Sequence, residues 1–187
     1  TRRHALECMI WAGTGVLWTV SGGVPVSLSL LDKAAAAEAM SSGFTFLQIS
    51  DSHIGFDKAA NPHAIDTLKE AMAKVEALPA KPAFLIHTGD ITHLSKAAQF
   101  DNAAQIIDGA GHIVHYVPGE HDLIDDGNGR AYLDRYGKGK KGAGWYSFDQ
   151  NGVHFIGLVN VVNLKAGGLG NLGAEQLAWL ADDLKAV

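Results

Sequence analysis

From residue 44 onward the apolar positions alternate between two spacings. Phe44 to Ile49, Ala83 to Ile86 and Ile113 to Val117 are short runs rich in β-branched and aromatic residues, the composition of buried strands. Between the first two, Ile65, Leu68, Met72, Val75 and Leu78 recur at helical spacing. That pattern predicts a helix opening at Asn61 with Pro62 in its first turn and stopped by Pro79. Between the second and third, a Ser95 cap, then Phe100, Ala103, Ile106 and Ile107, then Gly109, predict another helix. Strand, helix, strand, helix, strand implies right-handed crossovers and parallel pairing, so the three strand ends point the same way.

Further along, Trp145 to Phe148 and Val153 to Leu158 flank Asp149-Gln150-Asn151-Gly152, the signal of an antiparallel hairpin. Ala174 to Val187 predicts a closing helix with Leu177, Leu180 and Leu184 as its buried stripe. The Gly- and Lys-rich piece from Gly137 to Gly144 is expected as a mobile surface loop.

The first forty residues have another character. Arg2-Arg3 precede an apolar stretch from Met9 to Val20, interrupted by Gly13 and Gly15, and an alanine-rich segment follows from Ala34 to Ala39. A basic start, an apolar middle and small residues suited to cleavage are the parts of an export signal. Thr1-Arg2-Arg3-His4-Ala5-Leu6 resembles a twin-arginine signal. Residues 1–40 are therefore expected to be a targeting segment and 44–187 the folded domain, with a periplasmic location. The alternative is an uncleaved N-terminal anchor, for which Gly22, Gly23 and Pro25 make a poor span.

Composition narrows the choice of partners. With 187 residues, 47% hydrophobic and 19% charged, the chain can bury one ordinary core. A formal charge of −5 provides no basic field, so nucleic acid is not expected as an obligate partner. Membrane contact is expected only through the export segment. Cys8 is the single cysteine, which excludes an intramolecular disulfide and a thiolate-rich zinc site. Any metal must then be held by histidine and carboxylate.

Those ligand types cluster where the strands end. Asp51-Ser52-His53, Gly89-Asp90 and Gly119-Glu120-His121-Asp122 each follow one apolar run directly, at the sheet edge where α/β proteins place ligands. Asp51 and His53, one residue apart on a loop, can face one ion; Asp90 has two oxygens able to bridge two cations; Glu120 adds a carboxylate. Oxygen-rich ligation with some imidazole suits Mn, Fe, Zn or Mg. Two divalent ions so held would clamp a phosphate and generate a hydroxide for in-line attack. His121 could protonate the leaving oxygen, with Asp122 orienting its ring.

The order Asp-x-His, then Gly-Asp, then Gly-Glu-His-Asp, each after a strand, resembles the calcineurin-like metallophosphoesterases from Phe44 to Val187, as does Leu172-Gly173-Ala174-Glu175-Gln176-Leu177-Ala178-Trp179-Leu180. The resemblance implies a four-layer α/β/β/α sandwich, a dinuclear metal centre and hydrolysis of small-molecule phosphomonoesters or phosphodiesters. It matches Asp51 and His53 to ligands of the first ion, Asp90 to the bridge, Glu120 to a second-ion asparagine, and His121 with Asp122 to the acid and its orienter. Glutamate at 120 keeps a metal contact but replaces an amide donor with negative charge, so tighter metal binding and weaker phosphate binding are expected. The family also takes ligands from later histidines, and after His121 this chain has only His154, in mid-strand and expected to pack or to lie at the surface, not to ligate. The sequence thus reads as the N-terminal two-thirds of such a domain, truncated at its C-terminus, with little activity by itself. The competing expectation is a non-catalytic exported protein that binds metal or ligand on the same scaffold.

Other residues are expected to play lesser parts. His87 and His93 lie near the site as outer-shell groups or, for His93, as a substrate contact or a solvated side chain. His115 is expected to be structural, and Asn160 and Asn163 to end a strand near the pocket. Gly137-x-Gly139-x-x-Gly142 and Gly168-x-Gly170-x-x-Gly173 lack the context of a dinucleotide site and are expected to be loops. No Gly-x-Ser-x-Gly supports a serine hydrolase.

Overall fold

Three parallel strands make up one side of the main sheet: β3 (Thr45–Ile49), β4 (Leu85–His87) and β5 (Val114–Tyr116). They belong to a computed structural model that describes residues 15–21, 24–29, 33–125, 129–161 and 170–187. Helices α2 (Ala64–Glu76) and α3 (Ala97–Asp108) form the two crossovers. Each lies within the span expected from its apolar spacing. Two earlier strands, β1 (Val16–Ser21) and β2 (Val24–Ser29), extend the sheet in the order β2-β1-β3-β4-β5, with β1 antiparallel to β3. Helix α1 (Lys33–Ser42) leads from this hairpin into β3.

Residues expected as an export segment thus contribute two strands to the sheet, with Leu17 fully buried between β2 and β3. Arg2, Arg3 and Cys8 lie outside the described residues. No helix among the described residues is long and apolar enough to cross a membrane.

Alternation along the central strands sorts side chains into two layers. Leu47, Ile49, Leu85 and Tyr116 join Leu68, Met72, Val75, Phe100 and Ile107 in the main core, under α2 and α3. Phe46 and Phe84 point to the opposite face, where they meet Phe155 at 5.2 and 5.1 Å between ring centroids. Phe155 belongs to a second, two-stranded antiparallel sheet, β6 (Tyr146–Gln150) and β7 (Val153–Gly157). Both faces of β3 are therefore covered, which is why Phe46, Leu47 and Ile49 are all apolar although they face opposite ways. His115, expected to be structural, stacks on Phe148 at 3.7 Å. The hairpin closes through Asn151 and Gly152, both at positive φ, as a two-residue turn between right-twisted strands demands.

The outer face of this second sheet carries helix α5 (Gly173–Asp183). Ser147 Oγ donates to Asp183 Oδ1 at 2.7 Å, and His154 bridges Asp183 at 2.9 Å and Asp149 at 2.8 Å. Helices, mixed sheet, small sheet and helix make the four layers of an α/β/β/α arrangement. The stripe expected to bury α5 is a correction: Leu177 and Leu184 are 52% and 55% exposed, while Gln176 is buried. Gln176 Oε1 accepts the Val159 N–H at 2.8 Å and its Nε2 donates to the Val159 carbonyl at 2.7 Å, doing for Val159 what a neighbouring strand would.

The segment 137–144 is also packed more closely than expected. It follows the short helix α4 (Arg130–Tyr136), and Lys140 Nζ donates to the Tyr116 carbonyl at 2.5 Å while lying 4.4 Å from the Tyr146 ring centroid. Burial pushes the Lys140 ammonium down to about 8.

Candidate metal centre

The parallel ladder does not stop where β3 and β4 end. Thr88 N donates to the Ile49 carbonyl at 2.9 Å, Asp51 N to Gly89 at 3.0 Å, His53 N to Asp90 at 2.9 Å and Ile54 N to Ile91 at 3.0 Å. His93 N then returns to Ile54 at 3.0 Å, closing a bridge between Ile54 and Thr92. The two loops are zipped together largely by backbone, which leaves the side chains of Asp51, His53 and Asp90 free for chemistry. Holding that path puts Asp51, His53 and Asp90 at positive φ (56°, 42° and 51°), a region that Asp and His enter more readily than bulky residues do.

Two glycines bring the third loop in. Gly89 sits at φ 108°, and a Cβ there would lie 2.5 Å from the Gly119 nitrogen. A Cβ on Gly119 would in turn collide with the Asp90 carboxylate and backbone nitrogen. With neither present, Asp90 Oδ1 accepts the His121 N–H at 2.9 Å. The β4 and β5 loops thus lock through Asp90 itself, and its Oδ2 remains directed at His53, 3.6 Å from Nε2.

Asp122 reinforces the lock from below. It is fully buried, and its two oxygens accept from Thr92 N at 2.8 Å, Thr92 Oγ1 at 3.0 Å, Gly119 N at 3.0 Å and Ile91 N at 3.1 Å. Burial pushes its carboxyl up, and the bonds from Thr92, Gly119 and Ile91 pull the other way. None of these donors is His121. The orienting contact on that ring comes instead from the His93 carbonyl, 2.7 Å from His121 Nδ1. Glu120, close to Asp122 in a one-turn 3-10 helix (Glu120–Asp122), is exposed and turned to solvent.

Ser52, between the two expected ligands, points inward. Its hydroxyl donates to the Ile91 carbonyl at 3.1 Å and lies 2.9 Å from His87 Nε2. Gly89 N donates to His87 Nδ1 at 3.3 Å, so the proton of the neutral ring sits on Nε2 and reaches Ser52. Burial first, then the nearby His53, push His87 down to about 3. It is a neutral strut under the site, in keeping with its expected outer-shell place.

Two groups of metal-ligating atoms result, the members of each within 4.8 Å of one another: Asp51, His53 and Asp90, and His53, His93 and His121. Of the residues read from the sequence as ligands, Asp51, His53 and Asp90 are brought together and Glu120 belongs to neither group. His93 is closer to the centre than its expected role implied. The signal that could have found it is its position three residues after Asp90, which falls opposite Asp51-x-His53 only because the ladder runs on past the strands. Asn160 is exposed, and Asn163 and Gly168 lie outside the described residues.

The donor set fits a divalent cation. His53 Nδ1 and His93 Nδ1 are buried without a hydrogen-bond partner, and orphaned polar atoms of this kind cost free energy. His53 Nε2 stands 3.7 Å from Asp51 and 3.6 Å from Asp90, with Asp51 58% exposed, so an ion has an open path to both carboxylates. Burial, then His121 and His53, hold His93 below its ordinary range, which keeps that ring neutral.

The profile of the family described as calcineurin-like phosphoesterase matches residues 44–185. The chain belongs to that family. The match begins one residue before β3 and takes in all three loops of the site and α5. A calcineurin-like phosphoesterase is a hydrolase of the phosphoesterase superfamily, and the Asp and His groups described above could hold the divalent metal such enzymes typically bind. A search of curated proteins finds no match to the chain.

Proposed function

We propose that this calcineurin-like phosphoesterase hydrolyses small-molecule phosphomonoesters or phosphodiesters with two divalent ions, drawn from Mn, Fe, Zn and Mg, at the end of β3 and β4. The observation that carries the reading is the convergence of Asp51, His53 and Asp90 from two zipped loops, inside a domain matched to the family. Such ions would supply positive charge for the phosphoryl oxygens and a water of lowered pKa. Asp90 holds the β5 loop through Oδ1 and keeps Oδ2 for a cation. His121 is aimed by the His93 carbonyl at its Nδ1, which leaves Nε2 as the atom able to hand a proton to the leaving oxygen. Asp122 acts on the reaction only through the loop it holds. Glu120, exposed at the rim, sets negative charge beside an anionic substrate and lowers its affinity.

Hydrolysis of p-nitrophenyl phosphate and bis(p-nitrophenyl) phosphate by the full-length natural chain, with added Mn, tests this. Turnover that disappears in Asp90→Asn supports it. Metal binding with no turnover of either ester would identify a non-catalytic metal-binding protein instead, a reading that the charge of Glu120 favours.

We also propose that Arg2-Arg3 and the apolar stretch after them direct export to the periplasm. Cleavage among Ala35 to Ala39 would remove β1 and β2 and uncover the edge of β3. Fractionation of cells expressing the natural chain, beside Arg2→Lys/Arg3→Lys, decides it: equal periplasmic amounts would end the twin-arginine reading, and the mass of the exported form shows whether β1 stays.

A further inference from the structure

The second group of ligands is made of imidazoles alone. His53 comes from the β3 loop, His93 from the β4 loop and His121 from the turn after β5, and their ligand nitrogens lie within 4.8 Å of one another. The rings of His93 and His121 stack at 4.9 Å and 21°, and His53 stands across both, 4.9 Å from His121 at 80° and 5.7 Å from His93 at 66°. Phe56 closes the outer side, edge-on to His93 at 5.0 Å.

Hydrogen bonding accounts for only part of this gathering, the His121 ring being held to the His93 carbonyl. His53 Nδ1 and His93 Nδ1 are buried and unpartnered. His121 has one ring nitrogen fixed by a backbone carbonyl, the pattern by which proteins aim a metal-binding imidazole. One nitrogen from each ring lies close enough to the other two for a single cation to take all three.

We propose that His53, His93 and His121 form a nitrogen-donor site for a borderline divalent transition ion of the zinc, cobalt or nickel kind, separate from the oxygen-rich Asp51-His53-Asp90 group. Three imidazoles favour such ions, while two carboxylates with one imidazole favour harder ones such as Mn and Mg. His93 is the ligand that separates the two groups, and His53, common to both, makes hard and borderline ions compete. Occupation of the three-histidine site also takes His121 Nε2 away from proton transfer. The inference requires no hydrolytic activity, and its test reads binding without substrate.

The full-length chain, freed of metal, is titrated with Co(II) while its visible absorption is followed, and with Mn(II) while its magnetic resonance signal is followed. Loss of an outer-sphere partner already weakens a metal site about 10–100-fold, so His93→Gln, removing a direct ligand, is expected to weaken cobalt by more than about tenfold and to leave manganese within about twofold. Unchanged cobalt affinity in His93→Gln, or an equal loss for both metals, overturns the proposal. Should His93→Gln fail to fold by circular dichroism, the wild-type chain decides. Its His93 ring-nitrogen resonances must shift on zinc addition along with those of His53 and His121, and His93 signals unmoved at saturating zinc overturn the proposal equally.

Discussion

Replacing Asp122 by asparagine is expected to be among the most damaging isosteric changes in this chain. The carboxylate meets four donors, two on each oxygen: Thr92 N and Oγ1 on Oδ1, Ile91 N and Gly119 N on Oδ2. An amide has one acceptor oxygen. Whichever way the substituted side chain turns, its NH2 faces at least one backbone N–H that cannot rotate away, and only the Thr92 hydroxyl can reverse its role. A stranded buried donor costs about 1–3 kcal/mol, and bonds that lose their charge assistance weaken to roughly half. Together these predict a loss of about 2–4 kcal/mol for Asp122→Asn and somewhat more for Asp122→Ala, which strands every donor. Urea denaturation gives the free energy, and hydrogen exchange locates it: the amides of Ile91, Thr92 and Gly119 should lose protection together while those of α3 do not. A loss below about 1 kcal/mol, with those three amides still protected, would refute the idea that Asp122 braces the site.

The His154 latch should respond to pH. Hydrogen bonds to Asp183 and Asp149 raise the folded-state pKa of His154 above 6.5, and the same partnership lowers that of Asp183 below 3.8. The histidine's contribution is therefore fully present below its unfolded value and lost as pH rises through its folded value, while the contribution of Asp183 is lost only as pH falls through its lowered value. The melting midpoint of the wild-type chain relative to His154→Gln should be highest in mildly acidic buffer and converge above neutrality; a constant difference from about pH 5 to 9 would contradict the latch. At Asp51, exposed and at φ 56°, glycine relieves the left-handed backbone, so Asp51→Gly is expected to raise stability by up to about 1 kcal/mol while weakening Mn binding. Calorimetry with and without Mn checks both signs, and a fall in the metal-free midpoint would count against the strain.

Much of this was legible in the sequence because the main core is periodic. Leu68, Met72 and Val75 mark the buried side of α2, and the doubly covered β3 carries apolar residues on both faces. The three loops were legible for a related reason: each follows a strand, and parallel strands bring their ends together. What periodicity could not show was burial driven by hydrogen bonds. Gln176 is buried because its amide completes Val159, and Leu177 beside it is exposed for the same geometric reason. Adjacency misled at Asp122, since neighbours in a tight 3-10 turn point apart and the carboxylate reaches Thr92, thirty residues away, while the ring beside it meets His93. His93 and the strands β1 and β2 depend on ladder register, which composition does not encode.

The left-handed backbone at Asp51 and His53 sets two kinds of fitness against each other at the same two positions. For folding alone, glycine would relieve the backbone at either; for holding an ion, each needs its side chain. A lineage that ceased to use the metal would gain thermal tolerance by exchanging them for glycine, so a carboxylate and an imidazole at these two uncomfortable dihedrals are ones that stability alone would not keep, whereas Asp90 also holds the β5 loop through Oδ1.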